Sequence, residues 1–237
     1  MEYSSTKKVG KTILVVAAHP DDEVLGCGAS IAKWTASGNT VHVLIMAEGG
    51  TSRGLVRNRE AISKELSLLG DSARQAGIIL GITSVKLLGF PDNRMDSLDR
   101  LDVIKAIEME IDRLSPHTVV THHCSDLNID HRITHEAVIT ACRPQPGHPV
   151  KLLLAFEVAS STEWQLTGSN AMFQPNWFED VAKFFDYKLK ALEPYQSEMR
   201  EWPHARSLKN LEYLARCRGG AIGCEFAEGF MLLRTIR

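Results

Sequence analysis

The segment TILVVAAHPDDEVLGCG (12–28) sets His19, Asp21, Asp22 and Glu23 directly behind an apolar run. Adjacent carboxylates repel, so something at this point must stabilise negative charge. The N-terminus of a following helix is one such agent, worth about 0.3–1 kcal/mol per anion through its free N–H groups and dipole. It accounts for Asp22 and Glu23 but not for Asp21 or for the histidine beside them. A divalent cation accounts for all of them. Imidazole and carboxylate are ordinary zinc ligands, and catalytic zinc takes three protein ligands and keeps one position open. His19 and Asp22 could supply two ligands from a single turn. The competing reading is a capped helix whose histidine hydrogen-bonds a neighbour.

A second polar cluster, SDLNIDHRITHEA (125–137), groups Asp126, Asn128, Asp130, His131 and His135 around another helix start. His131 is the natural third zinc ligand. Asp130 either orients an imidazole or turn from behind the ligands or is an ordinary acid of a first helical turn. His131 and His135 are four apart and could share a metal from one helix face. The acid needed as base in an HExxH arrangement is misplaced, however, because Glu136 follows His135. His135 therefore reads as a partly exposed helix histidine.

Elements that would carry these clusters are legible from periodicity. Runs rich in Val, Ile and Leu at 12–18, 40–47, 84–90, 117–123 and 150–158 read as strands buried on both faces. Between them, 22–38, 56–70, 98–115 and 131–143 show apolar residues at helical spacing, with Gly38, Gly70 and Pro116 as stop signals. Alternation of such strands with helices predicts an α/β, Rossmann-like, mostly parallel sheet with helices on both faces. Ligands bind outside the carboxyl ends of the strands in such sheets, and both clusters fall there, as does AEGGTSRG (47–54). After residue 158 the pattern predicts a long loop with a short strand, helices over 181–195 and 207–223, and a closing strand over 229–236. No linker-like stretch intervenes, so residues 1–237 read as one domain.

Bulk properties bound the rest. With 237 residues there is enough chain for a large core, and a formal net charge of −2 gives no global field for nucleic acid. No apolar run is long enough for a transmembrane segment. Five cysteines without paired CxxC spacing suit reduced thiols and a cytoplasmic location. Cys27 and Cys124 lie near the two motifs, where burial as free thiols is the expected fate.

AHPDDE after the first strand, joined to a downstream Asp130-His131, resembles the PIG-L/LmbE-like family of zinc-dependent de-N-acetylases. The likeness extends to TSRG…RNREA…LG, DLNIDHR and YQSE…PHARS…AEGF. It implies removal of acetyl from N-acetylglucosamine-type amides in glycolipids, thiol glycosides and related conjugates. It places the zinc ligands on His19, Asp22 and His131, and the general base on Asp21; without the resemblance, Asp21 could equally hold His19 in place. Family members carry a histidine three residues before the last ligand, held to stabilise the oxyanion or protonate the leaving group. Here that position is Asn128, which cannot carry a transferable proton. His123 and His204 are the candidate replacements. Arg57 matches a substrate-contacting arginine of the family, with Arg53 or Arg59 as alternatives, while Arg132 reads as structural or anion-contacting. The segment 161–177 is a candidate lid, with Trp164, Phe173 and Trp177 available to stack on a sugar. The resemblance also allows a homo-oligomer in which His204 reaches a neighbouring subunit. Other readings are hydrolysis of a different amide and a zinc protein silenced at Asn128. A nucleotide-binding module is disfavoured, since phosphate would meet three acids and no GxGxxG follows the strand.

Overall fold

The computed structural model describes residues 10–166, 168 and 171–237. Its centre is a seven-stranded sheet in the order β3-β2-β1-β4-β5-β7-β6. Five strands are parallel: β1 (Thr12–Ala17), β2 (Thr40–Ala47), β3 (Ser84–Phe90), β4 (Thr118–His122) and β5 (Leu152–Phe156). The last two, β6 (Trp177–Asp180) and β7 (Ala227–Thr235), join antiparallel. Residues 177–235 thus extend the same sheet.

Alternation along β1 divides the core into two layers. Ile13 and Val15 pack against α1 (Asp22–Ala36), α2 (Ser63–Leu80), α5 (Phe185–Leu192) and α6 (Leu208–Gly220), whereas Leu14 and Val16 face α3 (Arg100–Leu114) and α4 (Ile129–Ala141). The inner strands β1, β4 and β5 are buried on both faces and read as nearly continuous apolar runs; β3, expected to be buried likewise, is the edge strand and has no fully buried residue. Chain direction across the sheet reverses at β1: β2 lies to one side and β4 to the other. The crevice at the carboxyl ends of β1 and β4 is therefore the topological switch point where open α/β sheets bind ligands.

Several helix ends follow the expected chemistry. Gly38 at φ 83° and Ser115 at φ 45°, just before Pro116, close α1 and α3. α4 begins at Ile129, two residues before the expected position, capped by Asn128, whose Oδ1 accepts from the Asp130 N–H at 2.8 Å. The helix expected over 56–70 is corrected. Residues 56–62 precede α2, Gly70 lies inside it, and Gly81 at φ 73° ends it. The apolar stripe explains the difference. Leu69, Ala73, Ala76 and Leu80 recur at helical spacing and are buried, so the helix continues past Gly70.

α1 is also not the uninterrupted helix its sequence suggests. Cys27 has φ −150°, and the freed N–H groups of Ala29 and Ser30 donate to Glu228 of β7 at 3.3 and 2.7 Å. Buried Lys188 of α5 closes the break, donating to the Leu25 carbonyl at 2.8 Å and to Glu228 at 2.6 Å. Gly26 is required there, because a Cβ would stand 2.3 Å from the Phe156 ring. Among the described residues no helix is long and apolar enough to cross a membrane.

Gly70→Ala should stabilise the fold by about 0.5–1 kcal/mol, the usual gain from replacing a mid-helix glycine. Its Cβ would meet nothing nearer than Arg74 Nη1 at 3.5 Å. Gly81→Ala should destabilise, since Gly81 sits at φ 73° and a Cβ would come within 3.1 Å of Thr35. Denaturant midpoints of the two variants against wild type check both signs.

Candidate functional site

The turn leaving β1 delivers the first cluster. Asp21 sits at φ 112° and ψ −30°, a conformation that costs a non-glycine residue on the order of 1–3 kcal/mol, and α1 begins immediately after it. Asp22 then turns inward. It has no exposed surface, and its Oδ2 accepts from the His19 N–H at 2.8 Å. The same oxygen lies 3.4 Å from His19 Nδ1 and 3.2 Å from His131 Nε2 at the start of α4. Burial pushes the Asp22 carboxyl up, but the positive charge of His131 and the bond to His19 outweigh it and hold it well below the carboxylate range.

Both imidazoles have a carboxylate behind them. His19 Nε2 faces Asp130 at 3.0 Å and Asp92 at 3.2 Å, while His131 Nδ1 faces Asp126 at 3.2 Å. Such partners fix the tautomer and turn the opposite nitrogen's lone pair toward a metal. Burial lowers the His131 pKa, yet Asp22 and Asp126 raise it to about 9, and the His19 pKa is raised well above normal by Asp130, Asp22 and Asp92.

Three groups of side chains in this region have the spacing to hold a metal, and their bonding separates them. In the group His122–Asp126–His131, His122 Nε2 already accepts from the Ala18 N–H at 2.8 Å. Asp126 there accepts from Ser161, from Thr162 at 2.7 Å and from the Asn128 N–H at 3.0 Å. In the group His19–Asp92–Asp130, Asp130 accepts from the Asn93 and Met95 N–H groups at 2.6 and 3.0 Å, and Asp92 from the Ser52 N–H at 2.9 Å. The group His19–Asp22–His131 is the one whose carboxylate is left wanting. Asp22 Oδ1 is buried without a hydrogen-bond partner, as are both ring nitrogens of His131 and Nδ1 of His122, whereas every oxygen of Asp126 and Asp130 is bonded; native proteins avoid such an orphaned carboxylate unless an ion or water fills it. Two imidazoles and a carboxylate fit a divalent transition metal.

Asp21 stands beside this group. Its Oδ2 accepts from Arg206 Nη1 at 2.7 Å, and Arg206 Nε donates to Ser160 Oγ at 2.8 Å. Burial raises the Asp21 pKa, Arg206 opposes this and Asp22 adds to it, leaving the group at about 7. A carboxyl at that value is matched to proton transfer near neutral pH.

The remaining candidates fall elsewhere. Asn128 caps α4. His123 turns away from His131: its Nε2 lies 3.0 Å from the Ala171 carbonyl and its ring meets Phe173, in a cavity of about 210 Å³ that Glu157 and Arg218 also line. His204 lies edge-on to Trp164 and accepts from the Arg206 N–H at 3.0 Å. Arg53 pairs with Glu65 and Glu198, and Arg57 and Arg59 both bind Glu48, at 2.6 and 2.7 Å. Arg132 clamps the carbonyls of Asp126 and Leu127. His135 is buried, not partly exposed, and its Nδ1 lies 2.8 Å from the His122 carbonyl. In the candidate lid, Trp177 belongs to β6, and residues 167, 169 and 170 lie outside the described ones.

Sequence reasoning missed Asp92, His122 and Arg206. Asp92 had a usable signal, a lone acid just past the end of a parallel strand. His122 shares the strand phase of Val120, and its ring stacks on His131 with centroids 3.9 Å apart. Arg206 had no local signal beyond its place in PHARS.

The family model described as PIG-L, GlcNAc-PI de-N-acetylase, matches residues 14–142, the stretch that holds every member of the metal group. A protein of Escherichia coli K12 named as the uncharacterized deacetylase YaiS is 32% identical over 200 residues, covering 82% of this chain and 94% of its own. A probable N-acetyl-α-D-glucosaminyl L-malate deacetylase 2 of Bacillus cereus is 28% identical over 210 residues, covering 84% and 89%. Among solved structures, the 4-carboxy-2-hydroxymuconate hydratase of Pseudomonas putida KT2440 superposes with a TM-score of 0.75 at 24% identity, over 96% of this chain and 98% of that one. That likeness concerns the fold alone. The family match covers more than half of the chain and contains His19, Asp22 and His131, so this chain belongs to the PIG-L family of de-N-acetylases.

Proposed function

We propose that the chain is a zinc-dependent hydrolase that removes the N-acetyl group from an N-acetylglucosamine-type conjugate, with Asp21 as general base. The observation that carries this reading is the convergence of His19 Nδ1, Asp22 and His131 Nε2 around buried, unpartnered atoms, with Asp21 next in the chain. Support for the substrate class comes from the family and from the Bacillus cereus relative, whose names specify glucosaminyl compounds.

Held by His19, Asp22 and His131, zinc would supply Lewis acidity toward the amide carbonyl and toward water. The chain's own groups do the rest. Asp130 and Asp92 hold His19, and Asp126 holds His131, so both ligand nitrogens are oriented before substrate arrives. Asp21 accepts a proton from the water that attacks the acetyl carbonyl. It then passes that proton to the departing nitrogen, and the products are acetate and a free amine. Asn128 supplies no transferable proton and is engaged in capping α4. The same Asp21 carboxyl serves both transfers.

Zinc content and acetate release from N-acetyl-α-D-glucosaminyl L-malate are the direct test. Asp21→Asn should keep stoichiometric zinc and lose about 10²–10⁴-fold in kcat, the usual worth of a positioned acid–base group. His19→Ala, Asp22→Ala and His131→Ala should each lose the metal; unchanged zinc in His19→Ala would show that the ligands are misassigned.

Metal affinity should also rise with pH. Protons on His131, with its pKa of about 9, and on His19 compete with the metal below that value. Each displaced proton contributes up to about tenfold in affinity per pH unit. Chelator-competition titrations at pH 6, 7.5 and 9 should show tightening at each step, and a flat series would contradict the protonated apo site.

A further inference from the structure

Tyr195 is the largest fully buried side chain among the described residues. Its hydroxyl donates to Glu23 Oε1 at 2.7 Å, and Glu23 is itself 1% exposed. The other oxygen, Glu23 Oε2, accepts from the Asp21 N–H at 3.1 Å. Burying an acid and a phenol is costly unless both are bonded, and here the bonds end on one peptide group. That peptide belongs to the residue at φ 112°. α1 lacks a side-chain N-cap, and Glu23 reaches back to the N–H ahead of the helix, as the acid of a capping box does.

Both ends of Asp21 are therefore gripped. Arg206 holds the carboxylate, and the bridge holds the peptide. The bridge is anchored in a rigid layer: Tyr195 packs with Val24, Ala191 and Leu192, and the adjoining Pro194 carbonyl accepts from Ser72 Oγ of α2 at 2.7 Å. In a regular helical turn, side chains one residue apart diverge by about 100°. The positive φ at Asp21 departs from that geometry, and Asp21 meets Arg206 while Asp22 meets the two histidines.

We propose that Glu23 and Tyr195 are positioning residues, whose bridge keeps the Asp21 peptide at its strained φ and so aims the Asp21 carboxylate. The inference rests on the reading of Asp21 as general base. Two measurements test it. The first needs no substrate. Asp21→Gly should melt a few degrees above Asp21→Ala, because glycine tolerates the positive φ. That gap should shrink by half or more when Tyr195→Phe is added. An unchanged gap would show that something other than the bridge holds the strain.

The second measurement is kinetic, with N-acetyl-α-D-glucosaminyl L-malate as substrate. Tyr195→Phe and Glu23→Ala should each lose about 10–100-fold in kcat, as sub-ångström misplacement of a reacting group does. KM and zinc content should stay at wild-type values. Glu23→Gln should restore nearly full kcat, since an amide can accept from the Asp21 N–H and donate to the Tyr195 oxygen. Wild-type kcat in Tyr195→Phe, alongside an inactive Asp21→Asn, would overturn the positioning role and leave the base intact. Wild-type kcat in Asp21→Asn would overturn the base itself.

Discussion

Asp22 lies without exposed surface between His19 and His131, one oxygen shared among them and the other without a partner. A carboxylate so placed is tolerable only beside a cation, because removal of an ion from water costs several kcal/mol even after relaxation. Much of the surrounding architecture follows from that requirement. The two imidazoles must present lone pairs or protons toward Asp22, so each needs an acid at its back. Those acids must in turn be fixed. Backbone N–H groups of Ser52, Asn93, Met95 and Asn128 fix Asp92, Asp130 and Asp126. Loops after β2, β3 and β4 are thereby drawn to one point by a charge that β1 delivers.

How much of this was readable depends on whether the signal was local. Strand positions were, because the inner strands are rich in β-branched and other apolar residues that alternate with helical stretches, even where a polar residue such as His42 or Thr121 interrupts them. The clustering of His19, Asp22 and His131 was, because His19 and Asp22 share one turn and a histidine opens a second helix at the neighbouring strand. Gly70 misled because a glycine in a helix looks like a stop; the stripe from Leu69 to Leu80 outweighed it. At the end of β4, His122 and His123 are distinguished only by strand phase, which sends one ring against His131 and the other against Phe173. Arg206 was beyond reach. Its partner Asp21 is 185 residues away, and nothing in PHARS specifies that the arginine rather than the histidine points inward.

The fold constrains the chemistry less than the site does. A hydratase shares the architecture over nearly the full chain, so a sheet with its crevice between β1 and β4 fits more than one reaction. What narrows the choice is the side chains in that crevice: two oriented imidazoles, an uncompensated carboxylate and a neighbouring carboxyl near pKa 7. With a metal held among them, that set would suit the proposed reaction, in which a carbonyl is polarised and one proton is moved back and forth.

α1 shows where the cost of this arrangement is met. Its first residue follows a strained Asp21, and its second turn breaks at Cys27 so that Gly26 can approach Phe156. A helix with a strained N-cap and a break at its sixth residue would not hold its register by propensity alone. Two buried polar ties supply what the backbone gives up. Glu23 with Tyr195 secures the N-terminal end, and Lys188 with Glu228 satisfies the carbonyl and N–H groups freed at the break. Both ties come from elements after residue 180, in α5, the turn following it and β7. The C-terminal part of the chain therefore does more than widen the sheet. It fixes the helix whose first turn carries Asp22, and with it the placement of Asp22 between His19 and His131.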